Sequence, residues 1–207
     1  MKKLLLTLAL VLSTLTAAHA QIGIIGGWTT AKTPTTVGGF APTSGNLFHA
    51  GLAYKFEVGP FFAIQPALVY QGKTAYVDVT APGARSSSPL YSRSNFMELE
   101  LGLQLGIDLL ALRPFFLFEP FIGYDLGSYN KFNGNLENVL NDARNKFEYG
   151  FGVGGGIELV NHLQISVQWF MNIGKLYDGN KLSATSFSPF SDLKNYQGVK
   201  VTMGLFF

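Results

Sequence analysis

From Asn95 to Leu109 the chain reads NFMELELGLQLGIDL. Met97, Leu99, Leu101, Leu103, Leu105, Ile107 and Leu109 are apolar, and Glu98, Glu100, Gly102, Gln104, Gly106 and Asp108 between them are polar or glycine. Side chains alternate between faces along a strand, so a strict period of two gives one greasy face and one wet face. A helix would scatter the same leucines around its circumference. The run is longer than the usual strand of about 5–6 residues. It reaches the about 9–11 tilted residues that cross a bilayer.

The pattern recurs. Seven further alternating segments are expected at Gln21 to Thr30, Phe48 to Val58, Phe61 to Val77, Pro114 to Tyr129, Phe147 to Val160, Leu163 to Gly174 and Gln197 to Phe207. Gly59-Pro60 and Asn161-His162 mark tight turns, and Leu110 to Arg113 is a short connection. Pro66 falls inside the third segment, where its missing donor implies a bulge or a local break. Short connections follow segments two, four and six; long polar ones follow one, three, five and seven, at about 31–47, 78–94, 130–146 and 175–196. That alternation predicts an all-β chain folded as an eight-stranded antiparallel up-and-down transmembrane β-barrel, with short periplasmic turns and longer extracellular loops. An even strand count puts both termini on the periplasmic side.

Met1-Lys2-Lys3, an apolar run from Leu4 to Leu12 and Ala18-His19-Ala20 before Gln21 read as a secretory signal peptide over 1–20, leaving a barrel domain at 21–207. No cysteine occurs, which excludes disulfides, thiolate metal sites and a lipidated N-terminal cysteine. Without Lys2 and Lys3, 13 basic residues face 13 acidic ones, so nothing points to nucleic acid. No segment after residue 20 approaches the roughly 20 apolar residues of a membrane helix. A closed barrel crosses a membrane without one, because closure pairs every strand.

Periodicity alone leaves open which face is inside. A soluble, lipocalin-like binder would turn its apolar face inward. Against that, the polar faces carry glycine, glutamine and serine more than a solvated surface would. The apolar faces place Trp28, Tyr54, Phe62, Tyr149 and Trp169 near strand ends, as interfacial girdles require. With its Ala-Gln start after the cleavage site, glycine-rich alternating strands, Gly-Pro turn and terminal VTMGLFF, the chain resembles the PorT-type outer-membrane barrels of Bacteroidetes over Gln21 to Phe207. The resemblance implies an outer-membrane barrel. It implies more distantly an accessory part in secretion. Phe207, after alternating apolar residues, resembles the signal read by the barrel-assembly machinery. The expected partners are therefore outer-membrane lipid, that machinery during insertion, and a secretion or surface partner.

An eight-stranded barrel has an interior about wide enough for its own side chains. Alternation directs Glu57, Glu98, Glu100, Asp108, Glu119, Asp125, Glu148 and Glu158 inward, together with Lys55, Lys73 and Lys200. Buried charge needs partners, so a salt-bridge and hydrogen-bond plug is expected, with a narrow cation-preferring path as the alternative. Gly150, Gly152, Gly154 and Gly156 form an inward stripe that leaves room for Phe121 or Phe170. His49 faces inward near Ser44, Ser94 and Glu98, so a lipid-modifying enzyme stays open without a motif to support it; His162 falls in a turn. No spacing resembles a metal or cofactor site. Phe187, Phe190 and Tyr196 are candidate loop anchors for a surface partner, and Asn138 to Lys146 a short helical turn.

Overall fold

The computed structural model describes residues 20–32, 42–79, 88–131, 146–173 and 197–207. They form eight strands: β1 (Ala20–Lys32), β2 (Pro42–Val58), β3 (Phe62–Val79), β4 (Ser88–Gly106), β5 (Leu112–Lys131), β6 (Phe147–Leu159), β7 (Leu163–Asn172) and β8 (Gln197–Phe206). Each pairs antiparallel with its neighbour, and β8 returns to β1 to close the barrel. Closure leaves no edge strand to satisfy elsewhere.

The alternating sequence sorts itself by face. On β4, Leu99 and Leu105 are 56% and 60% exposed, whereas Glu98 and Gln104 are 2% and 0%. Ile24, Leu52, Leu68, Phe116, Ile122, Tyr149, Val167 and Met203 likewise stand outside. A soluble protein does the reverse, so this surface is built for lipid. The lipocalin-like alternative is thereby corrected: it requires the greasy side to line the interior.

Strand ends differ from the sequence reading in instructive ways. β2, β4 and β5 run further toward the loops than expected, so 42–47, 88–94 and 130–131 are strand. Polar loop-like composition there masks a continuing ladder, as in Val79↔Ser88 through Thr74↔Arg93. At the other end β4 stops at Gly106, and 107–111 form the connection. Arg113 lies within β5, opposite Glu158, rather than in that connection. The β6–β7 turn is also displaced by one residue. His162 N–H donates to the Leu159 carbonyl (3.0 Å), with Val160 (φ 52°) and Asn161 (φ 61°) at its centre. Two successive positive φ values at the centre of a four-residue turn are the type I′ pattern, here within the three-residue connection 160–162.

Pro66 breaks the ladder without shifting it. β2–β3 pairing passes from Ala53↔Ala67 to Phe56↔Ile64 in one register, and on its other side Pro66 stays paired with Leu101. Pro120 does the same between Glu100↔Phe121 and Leu103↔Phe118.

The turns at 59–61, 107–111 and 160–162 share one end of the barrel with Ala20, the first described residue, and with Phe207. There Ala20 pairs with Phe56, and Phe206 N–H donates to the His162 carbonyl (2.7 Å). Connections at the opposite end run through 33–41, 80–87, 132–145 and 174–196, outside the described residues. So do the expected signal peptide up to residue 19, Phe187, Phe190, Tyr196 and the helical turn expected before Lys146.

Candidate functional site: the barrel lumen

Inward positions of the eight strands build a filled interior. At the turn end, Lys55 from β2 donates to Glu158 of β6 (2.5 Å) and to the half-exposed Glu57 (2.8 Å). Arg113 from β5 reaches the other Glu158 oxygen (3.4 Å), donates to Gln104 of β4 (3.0 Å) and meets Asp108 (3.3 Å). Gln104 passes its amide hydrogens to Gln65 of β3 (2.7 Å) and Gln164 of β7 (3.4 Å). Six strands thus contribute to one belt. Lys55, Gln104 and Glu158 are sealed from solvent.

Two residues up each of these strands, toward the loop end, the inward side chains become small or apolar: Ala53, Ala67, Gly102, Phe115 and Ser166. Ala53 and Ala67 pack with Ile25, Val69 and Phe206. A second polar layer follows. Lys200 of β8 donates to Glu100 (2.5 Å) and Glu119 (2.9 Å), and Gln168 donates to Glu119 (2.5 Å). With its amide nitrogen turned to Glu98, Gln71 donates to both carboxylate oxygens (2.9 and 3.2 Å). Nearer the loop end, Asn172 donates to Glu148 (2.7 Å).

His49 is fully enclosed. One ring nitrogen pairs with the Thr29 hydroxyl and the other with the Thr202 hydroxyl, both at 3.0 Å. That geometry fixes the ring between two strands and leaves neither nitrogen turned toward a substrate. The side chains of Ser44 and Ser94 lie outside the described residues.

Of the residues directed inward by alternation, Glu98, Glu100, Glu119, Glu148, Glu158, Lys55 and Lys200 are buried in the lumen. Glu57 and Asp125 are half-buried, and Asp125 accepts the Gly127 backbone N–H (2.9 Å) beside a bulge. Asp108 is a correction. β4 has ended before it, so it sits in the turn with a 59% exposed side chain, meeting Arg113 from outside the lumen. Lys73 belongs to β3, but its side chain is outside the described residues. Phe207 is exposed at the turn end, where its N–H donates to the Ile22 carbonyl (2.8 Å). Among the described residues Arg113 is the charged lumen residue missed in the sequence. Counting back by twos from Glu119 through Leu117 and Phe115 leads to it. No group of three or more metal-ligating side chains occurs among the described residues.

The glycine stripe of β6 is steric. A Cβ on Gly150 would fall 2.6 Å from the Phe121 ring, and one on Gly156 2.6 Å from Phe115. Gly152 gives its space to Gln168. Phe170 packs edge-on to Phe121 and meets Gly198 instead.

No curated protein matches the chain. Among solved structures it is similar to Neisserial surface protein A, NspA, with 11% identity over 90% of this chain and 95% of that one and a TM-score of 0.49. OprG of Pseudomonas aeruginosa gives 13% identity over 92% and 97%, with a TM-score of 0.48. Ail, the attachment invasion locus protein of Yersinia pestis, gives 10% identity over 91% and 99%, with a TM-score of 0.46. The sequence profile of the outer membrane protein beta-barrel domain matches residues 19–178, most of the chain, and the chain belongs to that family.

Proposed function

We propose that this protein is a closed, non-conducting and non-enzymatic barrel of the outer membrane whose specific work is done at its loop end. The observation that carries this reading is the lumen itself: two polar layers of cross-strand ion pairs, separated by small and apolar side chains, fill the interior. Buried ion pairs contribute little net stability, so their place here is to satisfy one another and set the register of strands around a dry plug. The clamped His49 weighs against hydrolysis of membrane lipid.

The chain enters the envelope through cleavage before Gln21, with the turn end and both termini in the periplasm and the loops outside. Phe207 engages the barrel-assembly machinery during insertion. The PorT resemblance adds an accessory place in a secretion complex. Cross-linking from the loop ends in cells identifies such a partner.

Planar-bilayer recording tests the main reading. Purified, heat-modifiable barrel is expected to give no steady conductance steps. Steady multi-ion conductance would replace the plug with the cation-preferring path that the lumen's excess of carboxylates favours.

A further inference from the structure

We propose that a recess on the outer wall, at the loop end of β7, β8 and β1, seats an acyl chain of an outer-leaflet lipid. This rests on the outer-membrane reading with the loop end outward. The recess is open to the outside, measures about 310 Å³ and is lined, among the described residues, by Thr30, Trp169, Gln197, Gly198 and Val199. Val199 pairs with Trp169 on one side and Thr30 on the other, so three strands frame it. A Cβ on Gly198 would run into the Thr30 carbonyl, and its absence lets β8 sit close against β1.

The surface around it is lipid-facing, which decides the class of occupant: Trp169 and Val199 are each 42% exposed on the apolar wall. Trp169 continues an aromatic run with Phe151 and Phe118 (ring centroids 6.4 and 5.9 Å apart). Polarity is graded along the recess. Gln197 opens β8 at the loop end and Thr30 lies near the end of β1, both with polar side chains. Trp169 and Val199 are cross-strand partners at the level of Thr30, two residues along β8 from Gln197 and further from the loops. An acyl chain has the same order, with an ester or amide linkage above and methylenes below. Tryptophan at this height is the usual residue of the membrane interface.

The test is native mass spectrometry of full-length protein extracted from outer membranes in mild detergent. Val199→Trp fills the recess, Gln197→Leu removes the polar anchor, and Leu68→Trp adds the same ring elsewhere on the lipid face. Wild type and Leu68→Trp are expected to retain one lipid that Val199→Trp and Gln197→Leu lose. Equal retention by all four proteins, or retention by none, overturns the proposal. If Val199→Trp fails to fold, Gln197→Leu against wild type decides. Failure of the outer-membrane reading shows separately, as absence of a heat-shifted band from the outer-membrane fraction.

Discussion

Val160 and Glu158, two residues apart, face opposite demands. Val160 holds φ at 52° on an exposed turn, a conformation that costs an L-residue roughly 1–2 kcal/mol and suits a β-branched side chain least. Val160→Gly or Val160→Asn is therefore expected to stabilise the barrel by about 1 kcal/mol, read as a higher urea midpoint in lipid vesicles. Glu158 is the shared acceptor of Lys55 and Arg113 in the sealed lower lumen. Glu158→Gln leaves two buried cations short of a partner and should cost about 3–5 kcal/mol. Glu57→Gln, at the half-exposed partner of Lys55, should cost no more than about 1 kcal/mol. Replacing the whole set, Lys55→Met with Arg113→Met and Glu158→Leu, should recover most of the Glu158→Gln loss. If the triple variant were the least stable of the three, the ion pairs would be net stabilisers rather than mutually satisfied charges.

At the scale of a strand, β6 shows why glycine can be the packing residue. Its inward stripe contributes no side chains, so Phe121, Phe115 and Gln168 from the flanking strands fill the space. Gly150→Ala and Gly156→Ala each set a methyl against an aromatic ring and the β7 backbone, with an expected cost of about 1–3 kcal/mol. Gly59→Ala, at an open turn with φ 76°, tests backbone preference alone and should cost less than either. Chemical unfolding of the three variants in one detergent ranks them. The strands themselves were legible in the sequence because period-two alternation names both an element and its faces. Their loop-end limits were not, since the polar residues of 88–94 serve a protruding ladder as well as a loop. Arg113 escaped because Leu112-Arg113-Pro114 resembles a connection, although its phase matches Glu119. That the stripe makes room for Phe121 was legible from phase; that Gly150 is the glycine it faces was not. The Gly156 contact with Phe115 depends on cross-strand register, which a single strand does not encode.

Across the whole molecule the proposed plug has two polar layers, which would act as resistances in series. Lys55, Arg113 and Glu158 lie toward the turn end; Lys200, Glu100 and Glu119 lie above the layer of Ala53, Ala67 and Phe115. An ion must pass both, so opening either one alone leaves the other in its path. An eight-stranded barrel has an interior only about one layer of side chains wide, so truncation rather than rotation is needed to clear it. Removing each charged set whole avoids stranding a buried ion. Alanine at Lys55, Arg113 and Glu158 is therefore expected to leave planar bilayers silent, as is alanine at Lys200, Glu100 and Glu119. The combined variant should conduct. Its current should favour cations, because Glu98 and Glu148 remain in the lumen while Lys55, Arg113 and Lys200 have been removed. The reversal potential in a KCl gradient reads that preference directly. Conductance from either three-residue variant alone would mean that a single layer seals the barrel, and that the other only holds its strands in register.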